Sequence, residues 1–256
     1  MKRYVALGSS MAAGPGIRPR AAGAPWAAGR SAQNYPHLVA ERLGLDLVDV
    51  TYSGATTAHV LHDEQHGVAP QIEALDGSET LVTVTIGGND VGYVPLLMAA
   101  SLPVGVARRV PLLGGLVSEL LDREARDQAL AQVSDSLRSV GRSLRQRAPL
   151  ARVFFVDYLT LLPPTGEPAP PLSAADTELG RHVGATLERL TADAATATGC
   201  EVVHAAAASR NHHAWSAEPW TVKPTRFPIP LPGRPAPLHP NRAGMHAVAE
   251  LVSARW

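Results

Sequence analysis

Cysteine is almost missing from this chain of 256 residues, Cys200 being the single one. One thiol cannot close an internal disulfide or furnish a zinc or iron–sulfur site by itself, so Cys200 reads as a small buried hydrophobe. An excess of charge of one sign is missing too. Lys and Arg number 23, and so do Asp and Glu, which leaves nothing to neutralise a phosphate backbone or an anionic membrane. Nucleic acid is therefore not an expected partner. The longest apolar run, residues 94–107, is broken by Ser101 and Pro103 and is too short to cross a bilayer. Met1-Lys2-Arg3-Tyr4 passes directly into Val5-Ala6-Leu7, leaving no room for the apolar core of a secretory leader. The expectation is a soluble, cytoplasmic protein without stable membrane insertion, secretion being reserved for a chain whose leader was trimmed. A hydrophobic fraction of 45% excludes a disordered or collagen-like chain and supplies a full core at this length.

Short aliphatic runs recur at residues 4–7, 47–51, 81–86, 153–156 and 202–204. They are nearly continuous rather than alternating, as in strands covered on both faces. Helical spacing lies between them. Leu130, Val133, Leu137, Val140 and Leu144 step by three and four, as do Leu179, Val183, Leu187, Leu190 and Ala194. Asn34 ahead of Tyr35-Pro36 suits the cap of a helix ending near Gly44; Ser173 with Asp176 resembles a capping box, and Asn241 suits the cap of a last helix. Strands alternating with helices predict one three-layer α/β domain over residues 1–256. Its core would be a flavodoxin-like parallel sheet of about five strands with right-handed crossovers. Residues 14–29, 163–171 and 219–237 are rich in Gly or Pro and read as long surface loops that shape a cleft.

Ligands of an open parallel sheet bind beyond the carboxyl ends of its strands. Gly8-Ser9-Ser10 follows the first run, Tyr52-Ser53-Gly54-Ala55-Thr56 the second and Gly87-Gly88-Asn89-Asp90 the third. Leu238-His239-Pro240-Asn241 precedes the last helix. Taken singly these are turn glycines, caps and a structural histidine; together at one sheet edge they are a set sufficient for acyl transfer. A hydroxyl needs a base to become a nucleophile, which pairs Ser10 with His239. An oxyanion needs donors where its charge develops, and the N–H of Ser10, the N–H of Gly54 and the Asn89 amide supply three.

With these residues the sequence resembles the SGNH, or GDSL-type, esterase and lipase family. Ala6-Leu7-Gly8-Ser9-Ser10 is similar to its first block, Ser53-Gly54-Ala55-Thr56 to its second, Ile86-Gly87-Gly88-Asn89-Asp90 to its third and His239-Pro240-Asn241 to its last. The resemblance implies the αβα fold and a serine carboxylic ester hydrolase without metal or organic cofactor. It would act on a small-molecule ester or acylated substrate through an acyl-enzyme. Ser10 would be the nucleophile, His239 the base, and Ser10, Gly54 and Asn89 the oxyanion hole. Deacetylation or acyl transfer on a glycan or small natural product uses the same site, and a silent binding protein would keep the fold.

Three positions depart from the family pattern. Ser9 stands where an Asp usually precedes the nucleophile. Ala236 stands where an Asp usually lies three residues before the histidine, so the backbone carbonyl of Ala236 or a neighbour is expected to orient the ring. Trp215 occupies a position that carries a disulfide Cys in secreted relatives. Outside these blocks, His59, His62 and His66 are spaced for one helix face but read as surface or cleft residues, because the zinc pattern His-Glu-x-x-His is missing. Residues 94–117 read as buried helices, the alternative being a cleft wall or lid. Arg108-Arg109 reads as a solvated edge, and Trp215 and Trp220 read equally as packing or as a cleft wall.

Overall fold

All five expected strands form: β1 (Arg3–Gly8), β2 (Asp46–Asp49), β3 (Glu79–Thr85), β4 (Arg152–Val156) and β5 (Glu201–Val203). They build one parallel sheet in the order β2-β1-β3-β4-β5, with Val5 opposite Val48 and Val82, and Leu7 opposite Val84. The computed structural model describes residues 2–102, 111–224 and 233–256. Arg108-Arg109, the rest of residues 103–110, and residues 225–232 of the last long loop lie outside them.

The continuity of the apolar runs has a direct cause. Val5, Leu7, Val82, Val84, Val153 and Phe155 enter one core, while Tyr4, Ala6, Leu81, Phe154 and Val156 enter another on the opposite face. A strand whose side chains alternate between two dry layers needs apolar residues at every position.

The helices among the described residues are α1 (Ser10–Ala13), α2 (Tyr35–Leu43), α3 (Thr57–Leu61), α4 (Tyr93–Ala100), α5 (Pro111–Leu120), α6 (Arg123–Arg147), α7 (Ala174–Ala197), α8 (Ala205–Ala208) and α9 (Arg242–Arg255). Helices α6 and α7 pack on each other and send their predicted apolar stripes into the first core. Helices α2 and α9 cover the second. The predicted caps form. Asn34 Oδ1 accepts the His37 N–H at 3.1 Å, Ser173 Oγ that of Asp176 at 3.1 Å, and Asn241 Oδ1 that of Gly244 at 3.0 Å. In the 94–117 stretch α4 buries Leu96 and Leu97 completely, as a core helix does, whereas Leu116 of α5 is 55% exposed.

At the end of β4 a buried carboxylate carries a stability cost. Asp157 Oδ1 accepts the Ala206 N–H at 2.7 Å, but Oδ2 has no hydrogen-bond partner among the described residues and lies 3.8 Å from His204 Nδ1. Burial pushes the Asp157 pKa up to about 7, against the Ala206 bond, which lowers it. A raised pKa in the folded state means the unfolded chain releases this proton first, so stability is lost as pH rises toward 7. In Asp157→Asn the Oδ1 acceptor remains and the charge is gone. Its Tm advantage over the wild type should widen as the buffer is raised from about pH 5 to about pH 8. A difference that stays flat across that range would contradict this assignment.

Candidate active site

β1 ends against β3, and the chain turns sharply there. Gln71 clamps both backbone groups of Gly8, accepting its N–H at 2.7 Å and donating to its carbonyl at 3.1 Å, while the Ser9 N–H donates to the Thr85 carbonyl at 2.9 Å. Ser10 is then the first residue of α1, buried to 8% exposure. Its Oγ lies 2.8 Å from His239 Nε2, across 229 residues of sequence.

His239 reaches the same edge from a loop braced on three sides. The Ala236 N–H donates to Pro15 at 3.0 Å, the Leu238 N–H to Val222 at 2.8 Å, and the Val222 N–H returns to the His239 carbonyl at 3.0 Å. Leu238 adopts φ +60°, a conformation that costs a branched side chain energy, and its complete burial in the first core holds it there. That kink aims the imidazole. His239 Nδ1 meets the Pro237 carbonyl at 2.7 Å. The orienting carbonyl is thus the neighbour's and not that of Ala236, which instead accepts the His239 backbone N–H at 3.2 Å. A carbonyl only accepts, so Nδ1 carries the proton and Nε2 is left with a lone pair toward the Ser10 hydroxyl. Loss of water around the ring pushes the His239 pKa below the usual histidine value, opposed by the Pro237 bond. The ring is held in the neutral form and in the tautomer a base requires.

The second and third blocks meet each other at the strand ends. Residues 52–55 form a turn closed by the Ala55 N–H and the Tyr52 carbonyl at 3.1 Å. Gly54, at φ +80°, takes the turn position that side chains disfavour and is exposed at the rim. Asn89 Nδ2 donates one hydrogen to the Ala55 carbonyl at 2.8 Å, and the other has no acceptor among the described residues. Asp90 accepts the Thr57 N–H at 3.0 Å and its hydroxyl, fastening the start of α3 to the same segment. The N–H groups of Ser10 and Gly54 have no acceptor among the described residues. Among the described residues three donors therefore remain unspent on the strand-end segments that include Ser10, itself bonded to a neutral imidazole, a set suited to tetrahedral oxyanions.

The histidine spacing alone resolves differently from its helix-face reading. His59, His62 and His66 do not share a helix face, because α3 ends at Leu61. His59 Nδ1 accepts the Thr56 N–H in a capping box, and His66, at φ +52°, stacks on Tyr52 with ring centres 5.8 Å apart. Among the described residues no three His, Cys, Asp or Glu are grouped to hold a metal ion. Trp215 packs on the first core, and Trp220 on the second while stacking on His212 at 4.1 Å. Sequence reasoning missed Gln71, and also Tyr158, whose hydroxyl touches both Ser9 and Gly88. The one available signal for Tyr158 was its place just beyond the carboxyl end of β4.

The family model of the GDSL-like lipase/acylhydrolase family matches residues 6–247. The chain belongs to that family. "Lipase 2" of Streptomyces coelicolor is 36% identical, with 96% of this chain and 83% of that protein covered. The crystal structure of a phospholipase A1 from Streptomyces albidoflavus superposes with a TM-score of 0.77 at 25% identity, covering 99% of this chain and 98% of that one. An extracellular lipase from Streptomyces rimosus shares the fold at a TM-score of 0.78 and 23% identity, covering 100% and 99%. This family member is accordingly a carboxylic ester hydrolase of the serine type, with the αβα fold of its relatives. No helix among the described residues is long and apolar enough to cross a membrane.

Proposed function

We propose that this enzyme cleaves esters with a Ser10–His239 dyad whose imidazole is oriented by the Pro237 carbonyl in place of a side-chain acid. The observation that carries the reading is the continuous chain from Ser10 Oγ through the ring to a backbone acceptor, at 2.8 and 2.7 Å. Ser10 Oγ attacks the ester carbonyl carbon as its proton passes to Nε2. The carbonyl oxygen, now an oxyanion, accepts from the Ser10 and Gly54 N–H groups and from Asn89 Nδ2. The intermediate collapses, the alcohol leaves with the proton from Nε2, and acyl-Ser10 remains. Water then gives its proton to Nε2 and attacks the acyl carbon, releasing the acid and restoring Ser10. The Pro237 carbonyl fixes the tautomer throughout, and its dipole favours the transient imidazolium less than a carboxylate would.

The substrate in this proposal is a small-molecule ester, handled by one domain without a cofactor. Cytoplasmic residence belongs to the proposal as well. Its support is the single cysteine and Trp215 at a position where secreted relatives carry a disulfide Cys.

A fluorophosphonate, which mimics the attacked carbonyl, tests the covalent step. One equivalent bound per chain should abolish turnover of a chromogenic ester, and excess substrate should slow the loss. Full turnover after saturating treatment would remove a serine nucleophile from the reaction.

A further inference from the structure

Tyr158 has no part in the steps above, yet it lies between the two segments that carry them. Its hydroxyl is 2.9 Å from the Gly88 nitrogen and 3.1 Å from Ser9 Oγ, all three residues being buried. The Gly88 N–H can only donate, so the phenol oxygen accepts it. Burial pushes the Tyr158 pKa up to about 12, which keeps the phenol neutral, and Ser9 is its other partner among the described residues. A Cβ on residue 88 would lie 2.7 Å from the ring carbons and the hydroxyl, so the turn accepts the phenol only because residue 88 is glycine.

Ser9 precedes Ser10, and Gly88 precedes Asn89. One hydroxyl therefore bridges the side chain of the residue before the attacking serine and the backbone of the residue before the amide donor. In the tetrahedral intermediate that serine and that donor hold the same carbonyl, one on its carbon and one on its oxygen. Their separation must be held to a fraction of an ångström, because small misplacements at a reacting centre cost large factors in rate. The β1 and β3 ladders set that separation only up to Thr85, where β3 ends.

We infer that Tyr158 is a positioning residue for ester cleavage, holding Ser10 and Asn89 in register through Ser9 and Gly88. The inference rests on the roles given to Ser10 and Asn89 above. Its ring also borders a cavity of about 360 Å³ shared with Leu161, Leu162 and Gly184, so the test keeps the ring and removes only the hydroxyl.

The experiment compares kcat, KM and Tm of the wild type, Ser10→Ala, Ser9→Ala, Tyr158→Phe and the Ser9→Ala/Tyr158→Phe double variant on one chromogenic ester. Tyr158→Phe should lower kcat about 10-fold or more with KM nearly unchanged. Ser9→Ala should lower it about five-fold, the worth of roughly one hydrogen bond. The double variant should be no slower than Tyr158→Phe alone, since both changes break one bridge. A folded Tyr158→Phe enzyme with wild-type kcat and only a lower Tm would overturn the inference, as would losses that multiply in the double variant. If Tyr158→Phe does not fold, unchanged kcat in Ser9→Ala overturns it equally. Turnover surviving in Ser10→Ala would instead sink the underlying reading of the nucleophile.

Discussion

Replacing His239 by Ala lowers kcat by at least about 10³-fold, and Ser10→Ala does the same, while the double variant is no slower than either. The expectation follows from the 2.8 Å contact between Ser10 Oγ and Nε2. Without the imidazole the hydroxyl keeps its proton at neutral pH and attacks as a poor nucleophile; without the hydroxyl the base has nothing to activate. Two groups that act as one unit do not multiply when both are lost. The pH profile carries a second signature. Because burial holds the His239 pKa below that of an ordinary histidine, the acidic limb of kcat/KM in the wild type should lie below the free-histidine range. Steady-state kinetics on a soluble ester reads both. Independent, multiplying losses, or an acidic limb well above the free-histidine range, would break the dyad apart.

Asn89→Ala is the second large effect, a fall in kcat of about 10² to 10³-fold with KM little altered. In the proposed mechanism the amide hydrogen not bonded to Ala55 serves an oxygen that becomes charged only after attack, so its loss is felt in the transition state more than on binding. The same change removes the 2.8 Å tie to the Ala55 carbonyl and so loosens the turn that presents Gly54. Asn89→Asp keeps the size but presents acceptors only, so it loses both donated hydrogens, and its charge would oppose the oxyanion. It should be at least as slow as Asn89→Ala. A wild-type kcat in either variant would take Asn89 out of the site.

Much of this architecture was readable before any coordinates. The five aliphatic runs and the 3–4 spacing in α6 and α7 report burial, and burial is what periodicity measures. The chemical blocks around Ser10, Gly54 and Asn89 were readable because parallel sheets deliver loop residues to one edge, and above all because those blocks resemble the family's. The bracing of those residues was not readable. The Gln71 clamp on Gly8 and the Tyr158 bridge join side chains to backbone groups of distant segments, and no spacing along the chain encodes such a meeting. The choice of Pro237 over Ala236 depends on the left-handed turn at Leu238, which a leucine adopts only because the core encloses it. The His59, His62 and His66 spacing suggested a helix face that α3 is too short to provide.

The measurement that bears most directly on the central claim is peptide mapping of the fluorophosphonate-treated enzyme by mass spectrometry. The account predicts one adduct per chain, on Ser10, absent from Ser10→Ala and formed far more slowly in His239→Ala. An adduct on Ser9 or on any other serine, in protein whose turnover is lost, would contradict it.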